Sequence, residues 1–262
     1  MRVAFQGEHG AYSEAAIIEH YGEGVESLPC ESFEVVFASV ADGRADLGFL
    51  PIENSLAGSI HRNYDLLLQH DLVVVGEHSL RVSHCLIGLP GTRLDEIRTV
   101  TSHPQALAQC EGTLKRMGVK VEPAYDTAGS VRLVRQAGER SVAAIAARRA
   151  AQIYDMEVLA EAIEDNPANF TRFLIVGRHP VSPGSDAKTS IVFSLDNRPG
   201  ALYRAMSVFA LRDIDLTKIE SRPLAGKPWE YLFYIDFAGS TEETPVKNAL
   251  ANLAEFATFL RV

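Results

Sequence analysis

The chain has 262 residues, room for one large domain or two of ordinary size. Hydrophobic residues make up 47% and charged residues 23%, enough for a full core and without the signature of a disordered chain. A formal charge of -9 with no basic run argues against a nucleic-acid partner, so an anionic ligand would need locally concentrated donors. Cys30, Cys85 and Cys110 are few, odd in number and far apart, which fits reducing surroundings and no metal spacing. The chain enters a strand-like run directly after Met1, and no apolar run is long enough to span a bilayer. A cytoplasmic protein with no membrane partner is the expectation.

Arg2 to Phe5 reads as a first strand, followed by a glycine-bearing turn through Ser13. Ser13 is the expected N-cap of a helix from Glu14 to His20, and a turn of this kind is a common anion site. The turn lacks the dinucleotide and P-loop patterns, so no nucleotide is expected. Ser32 caps a second helix, in which Phe33, Val36, Phe37 and Val40 form a buried stripe that ends at Gly43. A short strand, Asp46 to Leu50, runs into Pro51-Ile52-Glu53-Asn54-Ser55. A carboxylate, an amide and a hydroxyl then stand at the carboxyl end of a strand, where ligands sit in open α/β sheets; a helix cap explains Asn54 and Ser55 equally well.

Leu72 to Val75, Val82 to Ile87 and Arg98 to Thr101 read as strands, with a crossing to a second lobe between the first two. Ser102-His103-Pro104-Gln105 begins a helix with Pro104 near its first position and Leu107, Cys110, Leu114 and Met117 inward. Further strands are expected at Val119 to Val121, Ser141 to Ala146 and Val158 to Ile163. Helices are expected from a Thr127 cap to about Gln136 and from Arg148 to Tyr154. Asn169-Phe170-Thr171-Arg172-Phe173 is a loop feeding the apolar strand Leu174-Ile175-Val176. This βα alternation argues for mostly parallel sheets in two lobes with a cleft between them. After a Pro- and Gly-bearing linker over 179–187 the pattern becomes βαββαβ, a ferredoxin-like module over 188–262 with Leu202, Met206 and Phe209 inward.

Pro51-Ile52-Glu53-Asn54-Ser55, Ser102-His103-Pro104-Gln105-Ala106-Leu107 and Asn169 through Phe173, in this order, resemble the motif set of the prephenate dehydratases. Asn197 to Leu202 and Glu220-Ser221-Arg222-Pro223 resemble the two phenylalanine-binding motifs of that family's C-terminal ACT regulatory domain. The resemblance covers nearly the whole chain. It implies an α/β fold: a two-lobed, type II periplasmic-binding-protein-like catalytic domain over 1–178, its second lobe about 80–160, plus a ferredoxin-like ACT domain. It also implies a carbon–oxygen lyase converting prephenate to phenylpyruvate, water and carbon dioxide without a cofactor or metal.

Carried over by motif, Asn54, Gln105 and Thr171 would be catalytic, and Ser13, Glu53, Ser55, Ser102, His103 and Arg172 would bind substrate. Asn197, Pro199, Gly200, Ala201, Leu202, Glu220, Ser221 and Arg222 would bind the effector L-phenylalanine, in a homodimer or a dimer of dimers. The first turn departs from the family, with Glu8 and Ala11 where many members have proline and threonine near Gly7 and Gly10. The chemistry suits these residues. A donor at the leaving hydroxyl supplies general-acid or hydrogen-bond assistance, while a cationic grip on the carboxylate that leaves as carbon dioxide would oppose reaction. Arg172 is therefore expected on the side-chain carboxylate or in an ion pair. Two rivals remain: arogenate dehydratase, whose substrate carries an ammonium in place of the keto group, and a non-catalytic amino acid sensor.

Overall fold

Val3 and Phe5 point to one face of the first strand and Ala4 to the other, and all three are fully buried. Such a strand needs a helical layer on each side. The computed structural model, which describes residues 1–184, 186–224 and 226–262, supplies both layers. The chain divides into two units, Met1–Pro180 and Val181–Val262.

The first unit begins β1 (Arg2–Gln6), α1 (Tyr12–Tyr21), β2 (Glu26–Cys30), α2 (Phe33–Ala41), β3 (Leu47–Asn54), β4 (Gly58–Ser59), α3 (His61–Gln69) and β5 (Val73–Arg81). It continues β6 (Cys85–Gly88), β7 (Thr99–Ser102), α4 (Pro104–Gln109), α5 (Glu111–Met117), β8 (Lys120–Pro123), α6 (Thr127–Ala137), β9 (Val142–Ala146), α7 (Arg148–Ile153) and β10 (Glu157–Ala160), then returns in β11 (Phe170–Gly177). Two sheets result, in the orders β2-β1-β3-β11-β5, with β4 paired to β3, and β10-β6-β9-β7-β8.

The expectation of mostly parallel sheets is corrected: both are mixed. β1 is parallel to β2 and β3, whereas β11 is antiparallel to β3 and β5. In the second sheet β7 is parallel to β8 and β9, whereas β6 is antiparallel to β9 and β10. The double crossing is the cause. The chain leaves the first sheet after β5 and comes back as β11, and a returning strand need not follow the direction of the βα-connected ones.

Period-two alternation separates the cores. Val3, Phe5, Phe49, Phe173 and Ile175 pack with Ile17 of α1, while Ala4, Leu50 and Val176 pack with Val36, Phe37 and Val40 of α2 and Leu66 of α3. In the second sheet Cys85, Ile87, Ala144 and Ala146 meet α6 and α7, while Leu86, Ala143 and Ile145 meet α4 and α5.

Several boundaries differ from the sequence expectation. α1 starts at Tyr12 with Ala11 at its N-cap, so Ser13 lies inside it, and no side chain caps the helix; the Glu14 carboxylate instead accepts from Gly10 N at 2.7 Å in the preceding turn. Asp126, not Thr127, caps α6. The helix after Ser102 breaks at Cys110 into α4 and α5. β3 runs on through Pro51 to Asn54; Pro51 stands opposite Phe173 and Glu53 opposite Arg172, so Ile52 is the extra residue of a bulge beside a proline that cannot donate to the ladder.

The second unit contains β12 (Lys188–Leu195), α8 (Ala201–Ala210), β13 (Leu216–Pro223), β14 (Tyr231–Ala238), α9 (Thr244–Ala254) and β15 (Ala257–Arg261). The antiparallel order β13-β14-β12-β15 is the ferredoxin-like arrangement. Phe193, Ile235 and Phe237 of one sheet face are buried with Val208 and Phe209 of α8 and Val246 and Leu253 of α9. Leu202, expected inward, is 39% exposed, because Ala201, Ala205, Val208 and Phe209 form the inward stripe. The expected linker includes residue 185, which lies outside the described residues.

Candidate active site

The pairing of β3 with β11 sets Thr171 opposite Asn54 and Arg172 opposite Glu53. Successive strand residues point to opposite faces, so Asn54 and Thr171 share one side and Glu53 and Arg172 the other. A cavity of about 400 Å³ is lined by Asn54, Thr171 and Phe173 from this strand pair. Tyr12 and Ser13 of α1, Gln105 and Gln109 of α4, Thr127 of α6, His84 and His103 complete the walls used below. No carboxylate and no lysine or arginine lines it among the described residues. First-turn residues of α1, α4 and α6 all reach it: Tyr12 and Ser13, Gln105, and Thr127.

A hydrogen-bonded line crosses this wall. Asn54 Nδ2 donates to Thr171 Oγ1 at 3.0 Å and to Asn169 Oδ1 at 2.8 Å. Asn169 Nδ2 donates to Gln109 Oε1 at 3.0 Å. His84 Nε2 lies 2.8 Å from the same oxygen, and His84 Nδ1 lies 2.6 Å from the Tyr12 hydroxyl. Asn169 and His84 are buried, as is most of Asn54, so each bond counts against the cost of desolvation. Burial lowers the His84 pKa, against the Gln109 hydrogen bond and the Glu164 carboxylate, which raise it. Burial likewise holds the Tyr12 hydroxyl well above its usual range and pushes the Cys110 thiol up to about 12, so Cys110 is inert at neutral pH.

Of the residues expected from the sequence, Asn54, Gln105, Thr171, Ser13 and His103 line the one cavity. Four others lie elsewhere. The Ser102 hydroxyl is fully buried and donates to Ile145 O at 2.6 Å, stitching β7 to β9. Ser55 accepts from Phe170 N and donates to Ala168 O, both at 2.9 Å, which pins the entry to β11. Arg172, expected to bind substrate, holds Glu77 at 2.6 Å on the face away from Thr171. Glu53 shares that face.

Tyr12, His84 and Gln109 were missed as site residues, and Asn169 stood in its motif without an assigned role. Gln109 had a signal: it stands four residues after Gln105, one helical turn along the same face. A second hollow of about 390 Å³, walled by Glu8, Glu31, Tyr125 and Asp126, carries less free chemistry. Its Glu8 carboxylate is held by Arg132 at 2.8 Å, and Asp126 is spent capping α6.

In the second unit, Gly200 takes a left-handed backbone (φ 78°) just before α8, a conformation glycine tolerates best. Pro199 precedes it, and Ala201 and Leu202 open the helix. Asn197 Nδ2 donates to Trp229 O at 3.1 Å. Ser221 is exposed on β13 between half-buried Glu220 and Arg222, so it points to the other face.

These features have known counterparts. The prephenate dehydratase family model matches residues 3–181. An arogenate dehydratase/prephenate dehydratase 2 of Arabidopsis thaliana is 50% identical, over 100% of this chain and 71% of its own length. Among solved structures, the Arthrobacter aurescens prephenate dehydratase in complex with L-Phe has a TM-score of 0.90 at 32% identity, covering 100% of this chain and 88% of its own. GqqA, described as a novel type of quorum quenching acylase, has a TM-score of 0.92 at 38% identity, covering 100% and 96%. The chain has the two-lobed α/β fold of the dehydratases and belongs to the prephenate dehydratase family.

The expected cytoplasmic location is overturned. The Arabidopsis thaliana relatives are named chloroplastic, not cytoplasmic. Few cysteines fit reducing surroundings and do not separate one reducing compartment from another.

Proposed function

We propose that this chain converts prephenate to phenylpyruvate, water and carbon dioxide, using the cavity bounded by Asn54, Gln105 and Thr171. The observation that carries this reading is the Asn54–Thr171 pair: the Thr171 oxygen accepts from Asn54, and its hydrogen has no partner among the described residues. That hydrogen is offered to the ring hydroxyl as it departs. The carbon–carboxyl bond breaks, its electron pair enters the ring, the carbon–oxygen bond breaks, and the leaving oxygen takes a proton and departs as water. Thr171 then recovers a proton from solvent. An aliphatic hydroxyl is a weak acid, so its part is a placed donor, typically about 10²–10⁴-fold. Donation from Asn54 into the Thr171 oxygen strengthens the outgoing O–H donor.

Neutral donors suit the leaving carboxylate. It must lose its charge as carbon dioxide, and a guanidinium grip would favour the ground state over the transition state. The Ser13 hydroxyl and the Gln105 amide, both lining the cavity, are neutral donors to a dianion without that penalty.

Arogenate is the second reading, favoured by the names of the plant relatives. The carboxylate-free lining favours prephenate, because an ammonium would meet only neutral acceptors. Measuring kcat/KM on both substrates decides: a higher value for arogenate reverses the assignment. Acylase chemistry, suggested by GqqA alone, has less support, since the central Thr171 hydroxyl is bonded to an amide and not to a basic imidazole.

The second unit is proposed to be an ACT-like regulatory domain that binds L-phenylalanine through Asn197, Pro199, Gly200, Ala201, Leu202, Glu220, Ser221 and Arg222 in a homodimer or dimer of dimers. Its ferredoxin-like topology and the L-Phe complex of the Arthrobacter relative support this. Feedback requires tighter binding to the less active state, typically about 1–3 kcal/mol of coupling. Calorimetric titration with phenylalanine that shows no heat of binding for the full chain removes the regulatory half.

A further inference from the structure

Two backbone amides fix the direction of every hydrogen bond in the pocket line, because a backbone N–H cannot be turned into an acceptor. Leu56 N and Ala57 N donate to Asn54 Oδ1 at 3.1 and 3.0 Å. Asn54 must therefore present its nitrogen to Asn169 Oδ1 and Thr171 Oγ1. With its oxygen committed, Asn169 presents nitrogen to Gln109 Oε1. That oxygen is then an acceptor, so the His84 Nε2 facing it at 2.8 Å carries a hydrogen. The neutral ring leaves Nδ1 to accept from the Tyr12 hydroxyl. One end of the line is unspent. Gln109 Nε2 has no partner among the described residues, and Gln109 lines the cavity.

We propose that Gln109 binds substrate, its amide nitrogen donating to a substrate carboxylate, and that His84, steadied by Tyr12, is the positioning residue that stops this amide from turning over. The proposal rests on the dehydratase reading. A turned amide would present an oxygen to an anion. The orientation matters most in a pocket that relies on neutral donors. His84 itself transfers no proton here, since both ring nitrogens are engaged by protein groups. The charged and titratable groups around it are Tyr12 from α1, Glu164, which accepts from His84 N at 2.8 Å, Arg81 paired to Glu164, and Cys85 and Cys110.

Two variants separate binding from structure. Gln109→Glu keeps acceptors for both His84 and Asn169 but replaces the donor with a carboxylate; Gln109→Met removes both. At pH 8 the expected kcat/KM falls about 10–100-fold in Gln109→Met, the usual scale for a lost hydrogen bond to a charged group. It falls further in Gln109→Glu, although that variant unfolds at the wild-type temperature. A merely structural glutamine requires the opposite order, and wild-type kcat/KM in Gln109→Glu overturns the assignment. Wild-type turnover is read first, so an inactive wild type counts against the dehydratase reading instead. Nitrogen-15 NMR of the His84 ring tests the polarity without any assay: hydrogen on Nε2 is expected, and hydrogen on Nδ1 alone overturns the chain of donors.

Discussion

Asn54→Asp exchanges one donor nitrogen for an oxygen and leaves the shape of the wall unchanged. The new oxygen faces three acceptors that now share the two hydrogens of Asn54 Nδ2: Asn169 Oδ1 at 2.8 Å, Phe170 O at 3.1 Å and Thr171 Oγ1 at 3.0 Å. Turning the Asn169 amide relieves the first contact but sets its oxygen against Gln109 Oε1. Each acceptor left buried without a donor costs about 1–3 kcal/mol, and one or two such losses bring the expected destabilisation to about 2–5 kcal/mol. Thr171 escapes by donating to the new carboxylate, which spends the hydrogen that the reaction needs. A fall in kcat of about 10²–10⁴-fold follows.

The pH dependence has a definite sign. Residue 54 is 8% exposed and its new oxygen faces the Asn169 and Phe170 oxygens, which together raise the folded-state pKa of the new carboxyl above its unfolded value, against the Leu56 and Ala57 N–H groups that donate to its other oxygen and limit the rise. The variant is then closest to wild type below about pH 4 and falls behind as pH rises through the folded-state pKa. Urea unfolding at several pH values, run beside a steady-state assay, measures both effects. A variant with wild-type turnover and a stability gap that does not change with pH would refute the reasoning.

Other perturbations follow from the same geometry. Glu14→Gln removes the carboxylate that accepts from Gly10 N, His9, Ser27 and Arg149. Burial works to raise the Glu14 pKa, but these hydrogen bonds outweigh it and hold it below 4.5. Its stabilisation is therefore full at neutral pH and lost as pH falls through that lowered value, so a gap of about 1–3 kcal/mol at pH 7 should close in acid when followed by urea unfolding. Arg172→Met should leave kcat within a few-fold of wild type, because Arg172 pairs with Glu77 behind the sheet; a steady-state assay showing a thousand-fold loss would contradict that placement. Gly10→Ala should lower the unfolding temperature measurably, since a Cβ there lies 2.8 Å from the Ala150 backbone at a φ of +90°.

What the sequence made legible was local. The Ser32 cap, the stripe at Val36, Phe37 and Val40 and the βαββαβ order of the second unit all stand where periodicity and turn residues placed them. Period two, applied to Glu53-Asn54 and Thr171-Arg172, would also have put Glu53 and Arg172 on the opposite face from Asn54 and Thr171, once both segments were known to be strand. Pro51 concealed this for Asn54, because proline reads as a strand end and a bulge was needed to carry β3 past it. Tertiary pairing was not legible. Ser102 looks like a cap in sequence, but Ile145 O, 43 residues away, claims its hydroxyl. His84 and Asn169 acquire their meaning only when β5 and β11 bring distant segments around Gln109. Strand direction was misjudged for a related reason, since alternation records connections and not which sheet the chain returns to.

The most direct measurement is a stopped assay of the full chain with prephenate, quantifying phenylpyruvate and carbon dioxide together, beside Thr171→Val. The account requires one carbon dioxide for each phenylpyruvate in the wild type, and a loss of both by about 10²–10⁴-fold in the variant with its unfolding midpoint nearly unchanged. Equal product yield from a folded Thr171→Val would contradict the placed hydroxyl at the centre of the pocket.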